Sequence, residues 1–166
     1  RHNMAVAGPN CMGIASFAHH YAATMADIPD TAVAGGVSLV SQSGGLLNAF
    51  AEHCGNRGIG MNYLISMGNQ AVVDLADYID FFAADDATKV IALIMEGAKD
   101  GRRLRAAIER AAPKKPIVVL KLGRSVVGQA ATLAHTGTLA GKHEAFEALF
   151  KQHGVALADS IDELCE

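Results

Sequence analysis

A turn rich in serine and glycine holds the first residues whose types and spacing favour chemistry. Ser41-Gln42-Ser43-Gly44-Gly45 follows an apolar run and precedes a helical pattern. The N–H groups and dipole of a helix N-terminus attract anions, and glycines let an anion come close to the backbone. The turn therefore predicts an anion site. The simpler alternative is a tight turn in which Ser43 only caps the helix.

His135 is the second candidate, within a run of small residues at 134–141. A neutral imidazole is a nucleophile near pH 7, so a phosphohistidine is chemically available there. An ordinary loop histidine is the alternative that the spacing leaves open. Glu96 directly follows an apolar run. A carboxylate in that place can hydrogen-bond an imidazole and fix its tautomer, and a solvated acid at a strand end is the alternative.

Other polar side chains give little sign of a metal site. Asp74 and Asp77 share one face of a predicted helix and are a candidate metal pair. A solvated first helical turn is the favoured interpretation of the two acids. The remaining histidines, which form no ligand spacing with acids or cysteines, are His2, His19, His20, His53, His143 and His153. We therefore predict no bound metal.

Composition and cysteine usage exclude several classes of protein. With 51% hydrophobic and 19% charged residues, the chain is globular rather than disordered. A net charge of −3 without a basic stripe argues against nucleic-acid binding. No apolar run reaches the roughly 18 residues that span a bilayer. Cys11, Cys54 and Cys165 are odd in number and widely spaced, which favours a reducing cytoplasm over a disulfide framework or zinc site.

Strand and helix patterns alternate from residue 35 to residue 166. Five apolar runs predict strands at 37–41, 63–66, 89–95, 116–121 and 155–157. Apolar spacing predicts helices at 43–54, 72–84, 102–112 and 142–153, and Ser160 with Glu163 predicts a capping box that starts a last helix. The alternation predicts an α/β fold with a flavodoxin-like, doubly wound, five-stranded parallel sheet. The strand at 89–95, apolar throughout, is expected at its centre.

Residues 1–34 depart from this alternation. Residues 5–10 look like the end of a strand and its turn, and residues 12–36 are predicted to be mostly irregular. We therefore divide the chain into 1–34, the tail of a preceding domain with a linker, and 35–166, the α/β domain. The chain starts without methionine, close to a strand-like run, so we expect it to be part of a longer protein.

Seven short motifs occur in the order found in one enzyme family. They are GPNCMG (8–13), VSLVSQSGG (37–45), SMGN (66–69), VDLADY (73–78), EG (96–97), KLGRS (121–125) and AHTGTLAG (134–141). In these motifs, and over nearly the whole chain, the sequence resembles the α-type subunit of succinyl-CoA synthetase. It resembles the ADP-forming acetyl-CoA synthetases and the bacterial acyl-CoA synthetase homologues more closely. Each motif alone is weak, and the one around His135 is the most specific.

The resemblance implies an acid–thiol ligase with a succinyl-CoA synthetase type of domain. In this family ATP or GTP phosphorylates a histidine, the phosphoryl group passes to a carboxylic acid, and CoA displaces phosphate from the acyl phosphate. His135 matches that histidine, and Glu96 matches the acid that hydrogen-bonds it. The residues that match the phosphate-binding helix N-terminus are Ser41, Ser43, Gly44 and Gly45. Those that match the end of the CoA-binding domain are Gly8, Pro9, Asn10 and Cys11.

The resemblance also implies partners and substrates. Residues 1–34 match only the C-terminal remnant of the CoA-binding domain, and residues 35–166 match the phosphohistidine-carrying CoA-ligase domain. In this family ATP and Mg²⁺ are bound by an ATP-grasp domain or subunit. We expect a cytoplasmic, oligomeric enzyme that uses coenzyme A and binds neither nucleic acid nor membrane. The identity of the carboxylic acid and the choice between ADP and GDP stay open.

Two other functions stay open from the residues. A regulatory module that senses CoA or acyl-CoA would keep the fold and the anion turn but need no chemistry at His135. A serine hydrolase would use Ser43 as its nucleophile with His135 and Glu96. However, Ser41 takes the place of the first glycine in the G-x-S-x-G pattern of a nucleophile elbow.

Overall fold

A seven-stranded sheet with helices on both faces forms the framework of the protein. The computed structural model describes residues 4–123 and 143–166. The strands are β1 (Gly13–Ser16), β2 (Tyr21–Thr24), β3 (Ala34–Ser41), β4 (Met61–Ser66), β5 (Val90–Met95), β6 (Ile117–Lys121) and β7 (Ala156–Ala158). The helices are α1 (Gly44–Arg57), α2 (Leu75–Ala84), α3 (Gly101–Ala111), α4 (His143–Gln152) and α5 (Ile161–Leu164).

The sheet order is β2-β1-β4-β3-β5-β6-β7, and the last five strands run parallel to one another. The predicted five-stranded doubly wound sheet is therefore confirmed, with β5 in the middle as expected. One apolar cluster packs α2, α3 and Phe150 of α4 on one face, and a second packs α1 and α5 on the other. Of the helices in the described part of the chain, none combines the length and apolar character needed to cross a lipid bilayer.

The segment predicted to be mostly irregular contains an antiparallel hairpin. β1 pairs with β2 and also with β4, where Gly13 faces Ser66 and Ser16 faces Tyr63. Most of residues 12–36 lie outside strands, as predicted, but the prediction missed this hairpin. Each strand of the hairpin has only four residues, and β2 is mostly exposed, so the sequence shows no apolar periodicity there. The division of the chain at residues 34 and 35 stays a prediction.

Side-chain caps fix where the helices begin. α2 starts three residues later than predicted, because Asp74 accepts hydrogen bonds from the N–H groups of Ala76 and Asp77 and so ends the preceding turn. Ser160 caps α5 as predicted, accepting from the N–H of Glu163 at 3.2 Å. In a capping box the Glu163 carboxylate would accept a hydrogen bond from Ser160 N–H. It accepts instead from Asp159 N–H at 2.6 Å.

Asp74 and Asp77 are both paired with an arginine side chain and do not form a candidate metal pair on their own. Both carboxylates bind the Arg103 guanidinium, Asp77 at 2.6 Å. Asp74 is buried, so the expectation of a solvated pair is wrong for this residue. The two acids and Arg103 together join the start of α2 to α3. Across residues 4–123 and 143–166, no group of three or more potential His, Cys, Asp or Glu ligands is gathered to hold a metal ion.

A buried polar network lies at the opposite edge of the sheet from the predicted site, where the parallel strands begin. Asp85 accepts from Asn62 Nδ2 at 2.7 Å, from Thr88 N–H at 2.9 Å and from Thr88 Oγ1 at 2.6 Å. Ser38 completes it, with its Oγ 2.7 Å from Thr88 Oγ1. Desolvation alone would raise the pKa of Asp85, but the bonds from Thr88 and Asn62 outweigh it and lower the pKa below its ordinary value.

Asp85→Asn is expected to cost about 1–2 kcal/mol of unfolding free energy at pH 7, because bonds to a carboxylate are stronger than bonds to an amide. A group whose pKa falls on folding stabilises the protein above its unfolded pKa, and that stability is lost as pH drops through the folded pKa. The difference between wild type and variant, measured by urea unfolding, should therefore shrink below about pH 4. An equal difference at pH 7 and pH 3 would contradict this account.

Candidate functional site

The turn between β3 and α1 has the form of an anion-binding helix N-terminus. Ser43 is the N-cap, and its Oγ accepts from Leu46 N–H at 3.4 Å. Ser41 is fully buried and shapes the turn, because its Oγ accepts from Ser43 N–H at 3.1 Å and donates to Ser43 O at 2.6 Å. The first turn of α1 contains no acidic side chain, so no carboxylate of the helix competes for the N-terminal dipole.

The two glycines of this turn have different surroundings. A Cβ on Gly44 would lie 2.4 Å from Sδ of Met12, whose side chain covers that side of the helix start. Among residues 4–123 and 143–166, no atom lies within 4 Å of a Cβ added to Gly45. The backbone of Gly45 therefore faces open space, and an anion can approach from that side. Met12 was not predicted to take part, because its contact with α1 depends on how the N-terminal segment packs.

The backbone of Ser43 does not form a nucleophile elbow. Its φ of −103° and ψ of 120° are those of ordinary extended chain. A nucleophile elbow instead holds its serine in a strained turn. Ser43 also uses its hydroxyl as the helix cap. The serine-hydrolase alternative therefore lacks its expected geometry at the nucleophile.

Gln42 joins this turn to the next strand of the sheet. Its Oε1 accepts from the N–H groups of Glu96 and Gly97, the latter at 3.1 Å, and its Nε2 donates to Gly97 O at 3.0 Å. The Gln42 N–H also donates to Ile94 O at 3.0 Å. These bonds fix the start of the β5–α3 turn against the start of α1. Gln42 was not predicted to have a role, although a long amide side chain directly after a buried strand was the available sign.

Glu96 lies directly after β5, at the carboxyl edge of the sheet, and is 7% exposed. It is therefore a buried acid and not the solvated strand-end acid of the alternative interpretation. Lys121, at the end of β6, is 2% exposed and donates from Nζ to Glu96 O at 2.7 Å and to Leu122 O at 2.6 Å. Lys121 was noticed only as part of a motif. Its role depends on β6 lying beside β5, which a local pattern does not reveal.

The N-terminal segment 8–11 packs onto the turn that follows β4. Pro9 O accepts from Asn69 N–H at 2.9 Å, and Gly8 O accepts from Ala71 N–H at 2.8 Å. The side chains of Asn10 and Asn69 add a bond of 3.3 Å. Three motifs that are far apart in sequence, at 8–13, 37–45 and 66–69, are thus in contact at the carboxyl edge of the sheet.

Cys11 lies in this assembly and is partly buried. Burial raises the pKa of the neighbouring Tyr78 to about 12, with smaller contributions from Cys11 and Asp77. Tyr78 is therefore a neutral hydroxyl at physiological pH. Of the residues predicted to form the site, nine are gathered at this edge: Gly8, Pro9, Asn10, Cys11, Ser41, Ser43, Gly44, Gly45 and Glu96. His135 lies outside the described residues, and its role stays a prediction.

The chain is similar to known proteins over nearly its whole length. The family model of the succinyl-CoA ligase-like flavodoxin domain matches residues 34–166. An ADP-forming acetate–CoA ligase of Methanocaldococcus jannaschii is 40% identical over 166 residues, covering 100% of this chain and 23% of the relative. The α subunit of ADP-forming acetate–CoA ligase II of Pyrococcus furiosus is 40% identical over 164 residues, covering 99% of this chain and 35% of the relative.

A solved structure shares the fold. It is the dinucleotide-forming acetyl-coenzyme A synthetase 1 of Ca. Korarchaeum cryptofilum in complex with phosphate and ADP. It matches with a TM-score of 0.88 and 36% identity, over 97% of this chain and 35% of that one. The chain thus spans about a quarter to a third of the length of these relatives. Because the family match covers the whole parallel sheet and its helices, the chain belongs to the succinyl-CoA ligase-like flavodoxin domain family.

Proposed function

We propose that this chain is the phosphohistidine-carrying part of an NDP-forming acyl-CoA synthetase. The enzyme would make acyl-CoA from a carboxylic acid, CoA and ATP through a phosphohistidine at His135 and an acyl phosphate. The main support is the assembly of three motifs around the open N-terminus of α1, in a chain of this family. A phosphoryl group carries about two negative charges, which suit the N–H groups and dipole of a helix start without acidic neighbours.

Each described residue has a specific task in this proposal. The N–H groups at Gly44 and Gly45 would hold the phosphoryl group, with Ser41 and Ser43 keeping the turn in shape. The Glu96 carboxylate would orient the His135 ring and stabilise its charged form. Ser43 would act as a cap and not as a nucleophile.

The N-terminal segment would receive the thiol end of CoA. Residues 8–11 contact the 66–69 turn at the same edge of the sheet, with Asn10 exposed and Cys11 half-buried. They therefore leave an accessible surface beside the anion turn. The rest of the CoA site, and the ATP-grasp module that would bind ATP and Mg²⁺, would belong to other parts of the enzyme. The setting we infer is the cytoplasm, because three widely spaced cysteines do not suggest the disulfide framework of a secreted domain.

Phosphoryl transfer is the experiment that tests the proposal. The domain, in its full-length context or with its ATP-grasp partner, is incubated with γ-labelled ATP and Mg²⁺. We expect acid-labile, base-stable label on His135 that disappears in His135→Ala and is discharged by a carboxylic acid with CoA. His153→Ala, which changes a histidine after α4 near Glu109, should keep the label.

The regulatory alternative makes the opposite prediction. If the partner binds ATP but no label reaches His135, the phosphohistidine proposal fails. Unchanged function in His135→Ala would then favour a module that senses CoA or acyl-CoA. Labelling of Ser43 by a fluorophosphonate would instead support the serine-hydrolase alternative.

Gly45→Asp separates anion binding from helix stability. The added side chain meets no neighbour, and a carboxylate in the first turn favours the helix, so stability should hold or rise by about 0.5 kcal/mol. The same charge repels a phosphoryl group, so labelling of His135 should fall at least about tenfold, equivalent to about 1.4 kcal/mol. Gly45→Asn is the neutral control and should lose much less. Equal labelling in both variants, measured alongside thermal unfolding, would place the phosphoryl group elsewhere.

A further inference from the structure

Two of the three cysteines meet on the α1–α5 face of the sheet. Cys54 lies in the last turns of α1 and is fully buried, and Cys165 directly follows α5 and is 8% exposed. Their Sγ atoms are 4.0 Å apart although the residues are separated by 111 positions. Neither sulfur takes part in the proposed phosphoryl chemistry. The pair is therefore available for a different reaction.

The two sulfurs are not equivalent. The hydrogen bond from Cys54 lowers the pKa of Cys165 despite burial, and His53 and Arg57 act in the same direction while Asp162 opposes them. The same contact with Cys165, together with burial, raises the pKa of Cys54. Cys165 is also the less buried of the two residues. We therefore expect Cys165 to be the side of the pair that forms a thiolate, which is the reactive form of cysteine.

A cavity beside the two cysteines and the short helix α5 bear on whether the sulfurs can react. Both sulfur-bearing residues line a cavity of about 520 Å³, together with Phe50, Ile59 and Leu164. A small oxidant can therefore reach Cys165. α5 is a single turn of four residues, held by the Ser160 cap and by a 3.0 Å ion pair between Arg57 and Asp162. A shift of about 2 Å would bring the sulfurs from contact to the length of a covalent bond, about 2 Å.

We propose that Cys54 and Cys165 are a dithiol that hydrogen peroxide oxidises to a disulfide, which ties α5 to α1. The Cys165 thiolate attacks one peroxide oxygen, and the O–O bond breaks. The departing hydroxide combines with the proton that the Cys165 thiol lost on forming the thiolate and leaves as water, and Cys165 becomes a sulfenic acid. The Cys54 sulfur then attacks Cys165 Sγ, and the S–O bond breaks. A second water leaves with the Cys54 proton, so two thiols are oxidised and one peroxide is reduced.

The Cys54–Cys165 disulfide would be attached to α1, the helix whose N-terminus forms the anion turn. The N-terminus of α1 forms that turn, and Cys54 lies near its other end. A disulfide here closes a loop of more than a hundred residues, which restricts the unfolded chain strongly. We therefore expect the oxidised form to unfold at a higher temperature than the reduced form. The inference does not depend on the proposed ligase activity.

Peptide mapping of oxidised protein tests the inference. The protein in its full-length context is reduced, freed of reductant, treated with hydrogen peroxide while folded, and digested without reductant. We expect a cross-linked peptide pair containing Cys54 and Cys165, an intact mass lower by two hydrogen atoms, and reversal by dithiothreitol. Cys11→Ser should form the same cross-link, because Cys11 lies at the other site.

Two results of the peptide mapping would contradict the proposed disulfide. If folded protein carries sulfinic acid at Cys165, or a cross-link through Cys11, without a Cys54–Cys165 peptide, the inference is wrong. In Cys165→Ser, Cys54 should stay unmodified at peroxide doses that oxidise the wild type, because its sulfur is buried. Mapping of the wild type decides the question even if this variant does not fold.

Discussion

Gly68→Ala is expected to destabilise the protein by about 3 kcal/mol, combining a left-handed backbone with a collision. Gly68 has a φ of 58°, a conformation that L side chains rarely adopt. A Cβ there would lie 2.2 Å from Pro9 O and 2.4 Å from Asn10 O. Both atoms belong to backbone, so no side chain can rotate away. The segment 8–11 would have to leave the turn after β4.

Gly58→Ala is the matched control for this result. Gly58 ends α1 with a φ of 68°, so it has the same backbone requirement, but a Cβ there meets no atom of the described residues within 4 Å. We expect a loss of about 1 kcal/mol for this change, measured by urea unfolding under the same conditions. Equal losses in the two variants would mean that segment 8–11 moves at no cost and is not packed as described.

Gln42→Leu is expected to cost about 3 kcal/mol and to reduce the labelling of His135. The substitution keeps the approximate size of the side chain but removes three hydrogen bonds to Glu96 and Gly97 in a buried setting. Each buried polar group that loses its partner costs about 1–3 kcal/mol. Without these bonds the β5–α3 turn is no longer fixed against α1, so Glu96 would lose its position relative to the anion turn.

An exposed glutamine provides the control for this substitution. Gln152 ends α4 on the surface, and Gln152→Leu should change stability by no more than about 0.5 kcal/mol. Chemical denaturation of both variants measures the first effect, and γ-labelled ATP with the ATP-grasp partner measures the second. If Gln42→Leu were as stable as Gln152→Leu, water or a neighbouring group would have to replace the amide, and its connecting role would be wrong.

Strand and helix positions were largely predictable because the apolar runs are long. β5 and β6 are nearly continuous runs of Val, Ile, Leu and Ala, and their identity and direction follow from the pattern alone. The hairpin of β1 and β2 was missed because short strands with small side chains depend on pairing with β4. The start of α2 was displaced because the side-chain cap of Asp74 outweighs the apolar spacing that begins at Val72.

The shape of the β3–α1 turn was predictable because it depends on adjacent residues. Ser43, Gly44 and Gly45 form their turn from adjacent residues, and the cap at Ser43 follows from residue type. Gln42 and Lys121 act across strand boundaries, on atoms of residues 55 and 25 positions away. Such roles become visible only when the order of β3, β5 and β6 in the sheet is known. The catalytic role of His135 stays a prediction.

The pairing of β1 with β4 has a consequence for how the domain can be shortened. β4 is buried along its whole length, and β1 satisfies the side of its backbone that faces away from β3. A truncation at residue 34, where the family match begins, would remove β1 and leave an apolar strand with unpaired N–H and C=O groups. Open strands of this kind pair with other chains and promote aggregation. A soluble minimal form of the domain should therefore start before Gly8, so that β4 remains an inner strand.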